Sequence, residues 1–91
     1  MMNRETFERL LNGEEGGQKL GKLKDDNAFL GLQIIRKYLP TGGIEGADHD
    51  VIYSVGVEEL IEAGITVEDA IELRDINWMI DADAECLACY V

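Results

Sequence analysis

The segment VIYSV at residues 51–55 is the clearest strand signal in the chain. Its β-branched and aromatic residues favour an extended backbone, and Gly56 breaks the run. Residues 57–63 then form a predicted two-turn helix, with Gly64 in the position where glycine commonly ends a helix. A strand followed at once by a helix indicates a domain that mixes both kinds of secondary structure.

Downstream, a second helix and a second strand complete this half of the chain. Thr66 and Asp69 resemble a capping box in which Asp replaces the usual Glu, and they predict a helix that runs to about Ile80. Residues 81–84, Asp-Ala-Asp-Ala, then turn the chain. Residues 86–91 form a final predicted strand.

Upstream, two helices are predicted before Pro40. Asn3 can cap a short helix whose apolar residues at positions 7, 10 and 11 lie on one face. After a glycine-rich loop over residues 13–22, a longer helix starts at the cap residues 25–27 and ends before Pro40, which cannot continue it. Its apolar stripe is wide and includes Phe29, Leu32, Ile35 and Leu39.

These elements predict an α+β fold: one small domain over residues 1–91, with about four helices packed on a short two-stranded sheet. Two strands alone are marginally stable, so helices must cover a face of that sheet. The pattern leaves the strand direction open, since parallel strands would need a right-handed crossover through the helices and antiparallel strands would not. The large aromatic residues at predicted core positions are Phe7, Phe29, Tyr53 and Trp78. Trp78 and Tyr90 could alternatively anchor a partner.

Net charge divides the chain at about residue 40. Residues 1–40, the helical half, carry seven Lys or Arg and six Asp or Glu, a net charge of +1. Residues 41–91, which hold both predicted strands, carry Arg74 and thirteen Asp or Glu, a net charge of −12. The total of −11 argues against direct binding to nucleic acid or to an anionic membrane, since both would repel the chain. The 46% apolar content argues against general disorder.

Acidic residues at helical spacing are the strongest functional signal. The carboxylates at positions 58 and 62, and those at 68 and 72, are four apart, which places each pair on one helix face about 6 Å apart along the axis. Phosphates follow one another every ~3.4 Å along a DNA strand, so such rows approach every second phosphate. The predicted partner-binding residues are Glu58, Glu59, Glu62, Glu68, Asp69, Glu72 and Asp75.

These rows predict a small non-enzymatic interaction protein that binds and blocks a basic partner, one that normally handles nucleic acid. Such an inhibitor would act as a nucleic-acid mimic, because complementary charge steers association and selects partners. In size and net charge the chain resembles small phage-encoded inhibitors of host defence, such as anti-CRISPR proteins. Solubility is the competing explanation for the acidity, because net charge also keeps proteins soluble.

A metal-stabilised domain, alone or as a subunit of a larger assembly, is the alternative hypothesis. Cys86 and Cys89 form a C-x-x-C pair, and His49 could help to complete a site. In an extended strand, however, residues three apart point to opposite faces. Residues 16–23 match the phosphate-loop pattern except at Leu23, where Ser or Thr should hold magnesium. We therefore expect no cofactor, and a single histidine without a recognisable catalytic arrangement predicts no enzyme.

The remaining expectations concern location and assembly. The first residues lack the apolar run of a signal peptide, and no stretch approaches the ~18 apolar residues of a membrane helix. Two cysteines are too few for a disulfide scaffold, so a cytoplasmic protein is expected. A homo-oligomer is a further alternative, in which Lys19, Lys22 and Lys24 would contact the acidic half of a second copy; these lysines could instead contact the acidic half of the same chain.

Overall fold

Helices and strands are mixed along the part of the chain that a computed structural model describes, residues 2–15 and 26–90. These ranges contain four helices and four strands. In chain order they are α1 (Arg4–Leu11), α2 (Asn27–Tyr38), β1 (Gly46–Asp48), β2 (Val51–Gly56), α3 (Val57–Glu62), α4 (Val67–Asp75), β3 (Trp78–Asp81) and β4 (Cys86–Tyr90). The phosphate-loop pattern, most of the glycine-rich loop and the lysines at 19, 22 and 24 lie outside the described residues.

The four strands form one antiparallel sheet in the order β1-β2-β4-β3. Strands β1 and β2 form a hairpin, as do β3 and β4, and the two hairpins join where β4 pairs with β2. The α+β prediction is confirmed, but the prediction of two strands is wrong because the sheet has four. The two strands expected from the sequence are β2 and β4, and they run antiparallel.

Strand β3 lies where the sequence predicted the last residues of a helix. The prediction of a helix to Ile80 is wrong, because α4 ends at Asp75. Asn77 adopts the left-handed conformation, with a φ of 66°, and its amide donates to the Arg74 carbonyl at 3.0 Å. Asparagine tolerates this conformation and can end a helix as glycine does. Residues 78–81 then pair with β4 instead of continuing the helix.

Strand β1 is the other strand that the sequence analysis missed. It is only three residues long and pairs with β2 across a two-residue turn at His49 and Asp50. His49 has a φ of 50°, a left-handed conformation of the kind that two-residue hairpin turns require. Because the residues of β1 (GAD) do not favour strands, its pairing with β2 determines its conformation.

The inner face of the sheet carries the core. Strand register places Ile52, Trp78, Leu87 and Cys89 on this face, and all four join the hydrophobic core. Buried residues from all four described helices complete it. The described helices therefore pack on one side of the sheet, and the alternate strand positions point away from them.

Helix α2 approaches β3 very closely. A Cβ on Gly31 would lie 1.9 Å from Nε1 of Trp78, and the indole N–H donates to the Asn27 carbonyl at 2.9 Å. Trp78 is a core residue as predicted and, at 1% exposure, cannot anchor a partner. The core predictions for Phe29 and Tyr53 are wrong, since 60% of Phe29 is exposed and Tyr53 is half-buried outside the core. Helix α2 buries only the narrow line of positions 27, 31 and 35, and residue 29 lies outside that line.

Helix α1 packs against α3 and α4, the two helices that carry the predicted partner-binding residues. Its predicted cap is confirmed, because the Asn3 side chain accepts a hydrogen bond from the Thr6 amide at 2.8 Å. Phe7, Leu10 and Leu11 are buried, and α1 contacts both α3 and α4. This packing brings the N-terminal end of α1 beside the start of α3.

Candidate functional site: the acidic surface

Arg74 is the only lysine or arginine in residues 41–91, and the fold removes it from the surface. Arg74 lies at the C-terminal end of α4 and is only 1% exposed. The guanidinium Nη2 lies 3.1 Å from the Asp75 carboxylate, and Nη1 donates to the Glu15 carbonyl at 2.9 Å. The described residues of the acidic half therefore present no lysine or arginine to solvent.

Asp75 is buried together with this arginine, although it belongs to the predicted partner-binding set. It is 5% exposed. A partner on the surface would not reach its carboxylate, so we assign this residue to the interior ion pair.

Arg4 organises a cluster of three carboxylates, which we call the Arg4 cluster. Its guanidinium contacts Glu8 at 3.0 Å, Glu58 at 2.7 Å and Glu85 at 2.6 Å. Hydrogen bonds to Glu58 and Glu85 raise the pKa of Arg4 further above its usual value. One positive charge against three negative charges leaves a local charge of −2.

Of the Arg4 cluster, only Glu58 belongs to the predicted partner-binding residues. Glu85 is 81 residues from Arg4, in the turn between β3 and β4, so helical spacing could not connect the two. That turn is fixed by Asp81, whose side chain accepts from the amides of Asp83 and Ala84, each at 2.9 Å. The sequence predicted the turn at 81–84. The contact between Glu85 and Arg4, however, depends on how the β3–β4 hairpin packs beside α1.

Asp69 connects α4 to α2. The ammonium of Lys37 lies 2.8 Å from its carboxylate, and the Tyr38 hydroxyl also donates to it. Burial alone would raise the pKa of Asp69, but the hydrogen bonds from Lys37 and Tyr38 outweigh burial and lower it. The predicted cap is confirmed at the backbone, since the Thr66 hydroxyl accepts from the Asp69 amide at 3.2 Å. This carboxylate therefore has a structural contact of its own.

Four predicted carboxylates remain exposed, and we call them the helix carboxylates. They are Glu59 and Glu62 on α3, and Glu68 and Glu72 on α4. None of them forms an ion pair within residues 2–15 and 26–90.

Glu72 lies beside an apolar groove of about 340 Å³ between α2 and α4. Leu30, Ile34 and Ile76 line this groove together with Lys37. A partner that binds the Glu72 carboxylate would therefore also meet apolar side chains.

The alternative metal ligands are not brought together. Cys89 faces the core, whereas Cys86 pairs in register with Asp81 on the opposite face, as their spacing predicted. His49 lies in the β1–β2 turn with a side chain that is 91% exposed. Within the described part of the chain, no three His, Cys, Asp or Glu residues form a group that could hold a metal ion.

Both cysteines are free thiols in buried positions. Burial raises the pKa of Cys89, and burial together with the charge of Asp81 raises that of Cys86. Both thiols are therefore disfavoured as thiolates, the form that attacks disulfides or binds metals.

No protein-family model, curated protein or solved structure matches the chain. Among the described residues, no helix is both long enough and apolar enough to cross a membrane.

Proposed function

We propose that this protein is a non-enzymatic inhibitor that binds a basic, nucleic-acid-handling protein and blocks its nucleic-acid site. The observation that carries the proposal is the burial of Arg74, the only cation of the acidic half. Carboxylates at the surface of this half would stand where phosphates of the natural ligand bind. An anti-defence protein of the phage anti-CRISPR type is the biological class that this mode of action favours.

The helix carboxylates and the Arg4 cluster supply the charge. Glu68 and Glu72 are exposed like charges at i and i+4, which slightly destabilise a helix, so their presence on α4 favours a role besides folding. Their attraction to a basic groove would be long-range at low salt and screened over ~8 Å at physiological ionic strength. Association should therefore weaken steeply as salt increases.

The proposal uses neither a metal nor a catalytic group. It places the protein in the cytoplasm, where both thiols remain reduced. The acidic half would bind the partner protein directly, without contacting nucleic acid itself.

Charge reversal tests the proposal. Glu62→Lys and Glu72→Lys each change the net charge by +2, from −11 to −9, and so does the control Glu14→Lys, which alters an exposed residue outside α3 and α4. The tagged proteins are incubated with bacterial lysate at low salt, and bound proteins are eluted with a salt gradient. We expect nucleic-acid-handling proteins to elute in mid-gradient and duplex DNA to displace them.

The variants give the decisive comparison. Glu62→Lys and Glu72→Lys should each elute the partner at lower salt than Glu14→Lys does. Equal elution from all three variants, or a partner that resists both high salt and DNA, would contradict the proposal.

A further inference from the structure

The outer face of the sheet is aromatic and apolar. Strand register places Tyr53 of β2, Met79 of β3 and Tyr90 of β4 on this face, beside the small residue Ala88. Tyr90 is 56% exposed, and Tyr53 and Met79 are half-buried. Because the described helices pack on the inner face, none of them covers these side chains.

Two carboxylates flank this face, and within residues 2–15 and 26–90 no lysine or arginine pairs with either, although the His49 imidazole lies 3.7 Å from Asp48. Asp48 of β1 is in register with Val51, and Asp81 of β3 with Cys86, which places both carboxylates on the outer face. Burial raises the pKa of Tyr53, and Asp81 and Asp48 raise it further, so both carboxylates act on this ring. The four strands contain no lysine or arginine.

The tyrosine rings are positioned by the strands. A Cβ on Gly46 would lie 3.7 Å from the Tyr53 ring, so this ring lies across the neighbouring strand. Tyr90 is in register with Val51 on the same face. Both rings are therefore presented by a sheet rather than by a loop, which reduces the entropy lost on binding.

Tyrosine rings beside carboxylates that pair with no lysine or arginine of the described residues favour a guanidinium as the bound group. A guanidinium stacks on tyrosine rings and hydrogen-bonds carboxylates, and it is less strongly hydrated than an ammonium. We propose that the outer face binds arginine side chains of the basic partner protein. This inference rests on the proposed function and adds a second contact surface to the helix carboxylates.

A second copy of this chain fits the outer face less well. Pairing two outer faces would bring Asp48 and Asp81 of one copy towards the same carboxylates of the other. Like charges across an interface oppose association. An arginine-bearing partner is therefore the occupant that the charge favours.

A titration with short basic peptides tests this inference. Octa-arginine and octa-lysine are titrated into ¹⁵N-labelled protein, and amide shifts are followed by NMR. We expect octa-arginine to shift amides of β2 and β4, and to bind more tightly than octa-lysine. Tyr90→Ser should weaken octa-arginine binding about fivefold, the size of an exposed cation–π contact, whereas Tyr90→Phe should keep most of it. Asp48→Asn should reduce the salt dependence of binding.

The outcomes separate this inference from the proposed function. Unchanged octa-arginine affinity in Tyr90→Ser, or equal binding of both peptides, would overturn the arginine site. Glu62→Lys, measured in the same titration, reports on the helix carboxylates independently. Shifts confined to α3 and α4 would therefore leave the proposed function standing and remove the outer-face site.

Discussion

The regions around Arg74 and Arg4 use the same residue type in opposite ways. At the end of α4, Arg74 is buried against Asp75 and the backbone carbonyl of Glu15. At the start of α1, Arg4 stays near the surface and binds three carboxylates from α1, α3 and the β3–β4 turn. Burial takes the charges of Arg74 and Asp75 away from the surface together. Arg4, in contrast, remains near the surface, where three carboxylates face its single positive charge.

The location of a charged side chain therefore matters as much as the number of charges. The two arginines count equally in the composition, but a partner arriving from solution can contact Arg4 and not Arg74. Burial of Arg74 with Asp75 keeps the net charge of the acidic half at −12 and leaves its described surface without a lysine or arginine of its own. Stability should depend on the buried region, and the electrostatic field on the exposed one.

Removal of the buried arginine should have the largest effect. Arg74→Leu leaves the Asp75 carboxylate buried without its arginine, and we expect a loss of about 3–5 kcal/mol in the free energy of unfolding. Urea denaturation followed by Trp78 fluorescence measures this loss. The double variant Arg74→Leu/Asp75→Leu should recover part of it, because it removes both members of the ion pair. A loss below about 1 kcal/mol in the single variant would show that this pair resembles a surface ion pair.

A change in the packing of α2 against β3 should have the next largest effect on stability. Gly31→Ala places a methyl group inside the Trp78 indole, and we expect a loss of about 1–3 kcal/mol despite the better helix propensity of alanine. Gly43→Ala is the matched control, since its added Cβ meets only the end of the Arg36 side chain, 3.2 Å away. Thermal unfolding compares the two. Equal stability of both variants would show that α2 can shift away from β3 at little cost.

The exposed arginine should contribute less. Arg4→Gln removes the cation from the Arg4 cluster, and we expect a loss of about 1 kcal/mol or less, because exposed ion pairs are screened. The loss should grow at low salt, where repulsion among the three carboxylates is strongest. Urea unfolding at two salt concentrations checks this, with Arg9→Gln as a second exposed arginine for comparison. A salt-independent loss as large as that of Arg74→Leu would remove the contrast between the two regions.

A pH dependence should give the smallest effect. The folded-state pKa of Asp69 is lowered by Lys37 and Tyr38, so the charged form contributes stability above its unfolded pKa of about 3.9. That contribution falls as pH decreases through the lowered folded-state value. Melting temperatures below about pH 4 should therefore fall less steeply in Asp69→Asn than in the natural sequence. Parallel curves for the two proteins would contradict this role of Asp69.

Local sequence signals predicted the helix ends that carry a capping residue. Asn3, Gly64 and Thr66 each stand at a helix boundary as predicted, because a cap acts within one turn. Strands β1 and β3 were missed because their formation depends on partners far along the chain. Asn77 was a readable signal for the end of α4, since asparagine shares the left-handed role of glycine.

The candidate site was predictable only in part. Helical spacing identified the helix carboxylates, which are exposed in the structure. It could not show that Asp75 is buried, because that depends on which face α4 turns inward. Nor could it connect Glu85 with Arg4, since only the folded chain brings the turn beside α1.

The place of β4 in the sheet has a consequence for how the protein is made. This strand is the last of the four to be synthesised, yet it lies between β2 and β3. On the ribosome, the β1–β2 hairpin and β3 have no sheet to join until residues 86–90 have left the exit tunnel. The inner-face residues of β2 and β3 remain without their central neighbour until then. The chain should therefore complete its fold only after release of these residues, and a ribosome stalled just before them would hold a protease-sensitive chain.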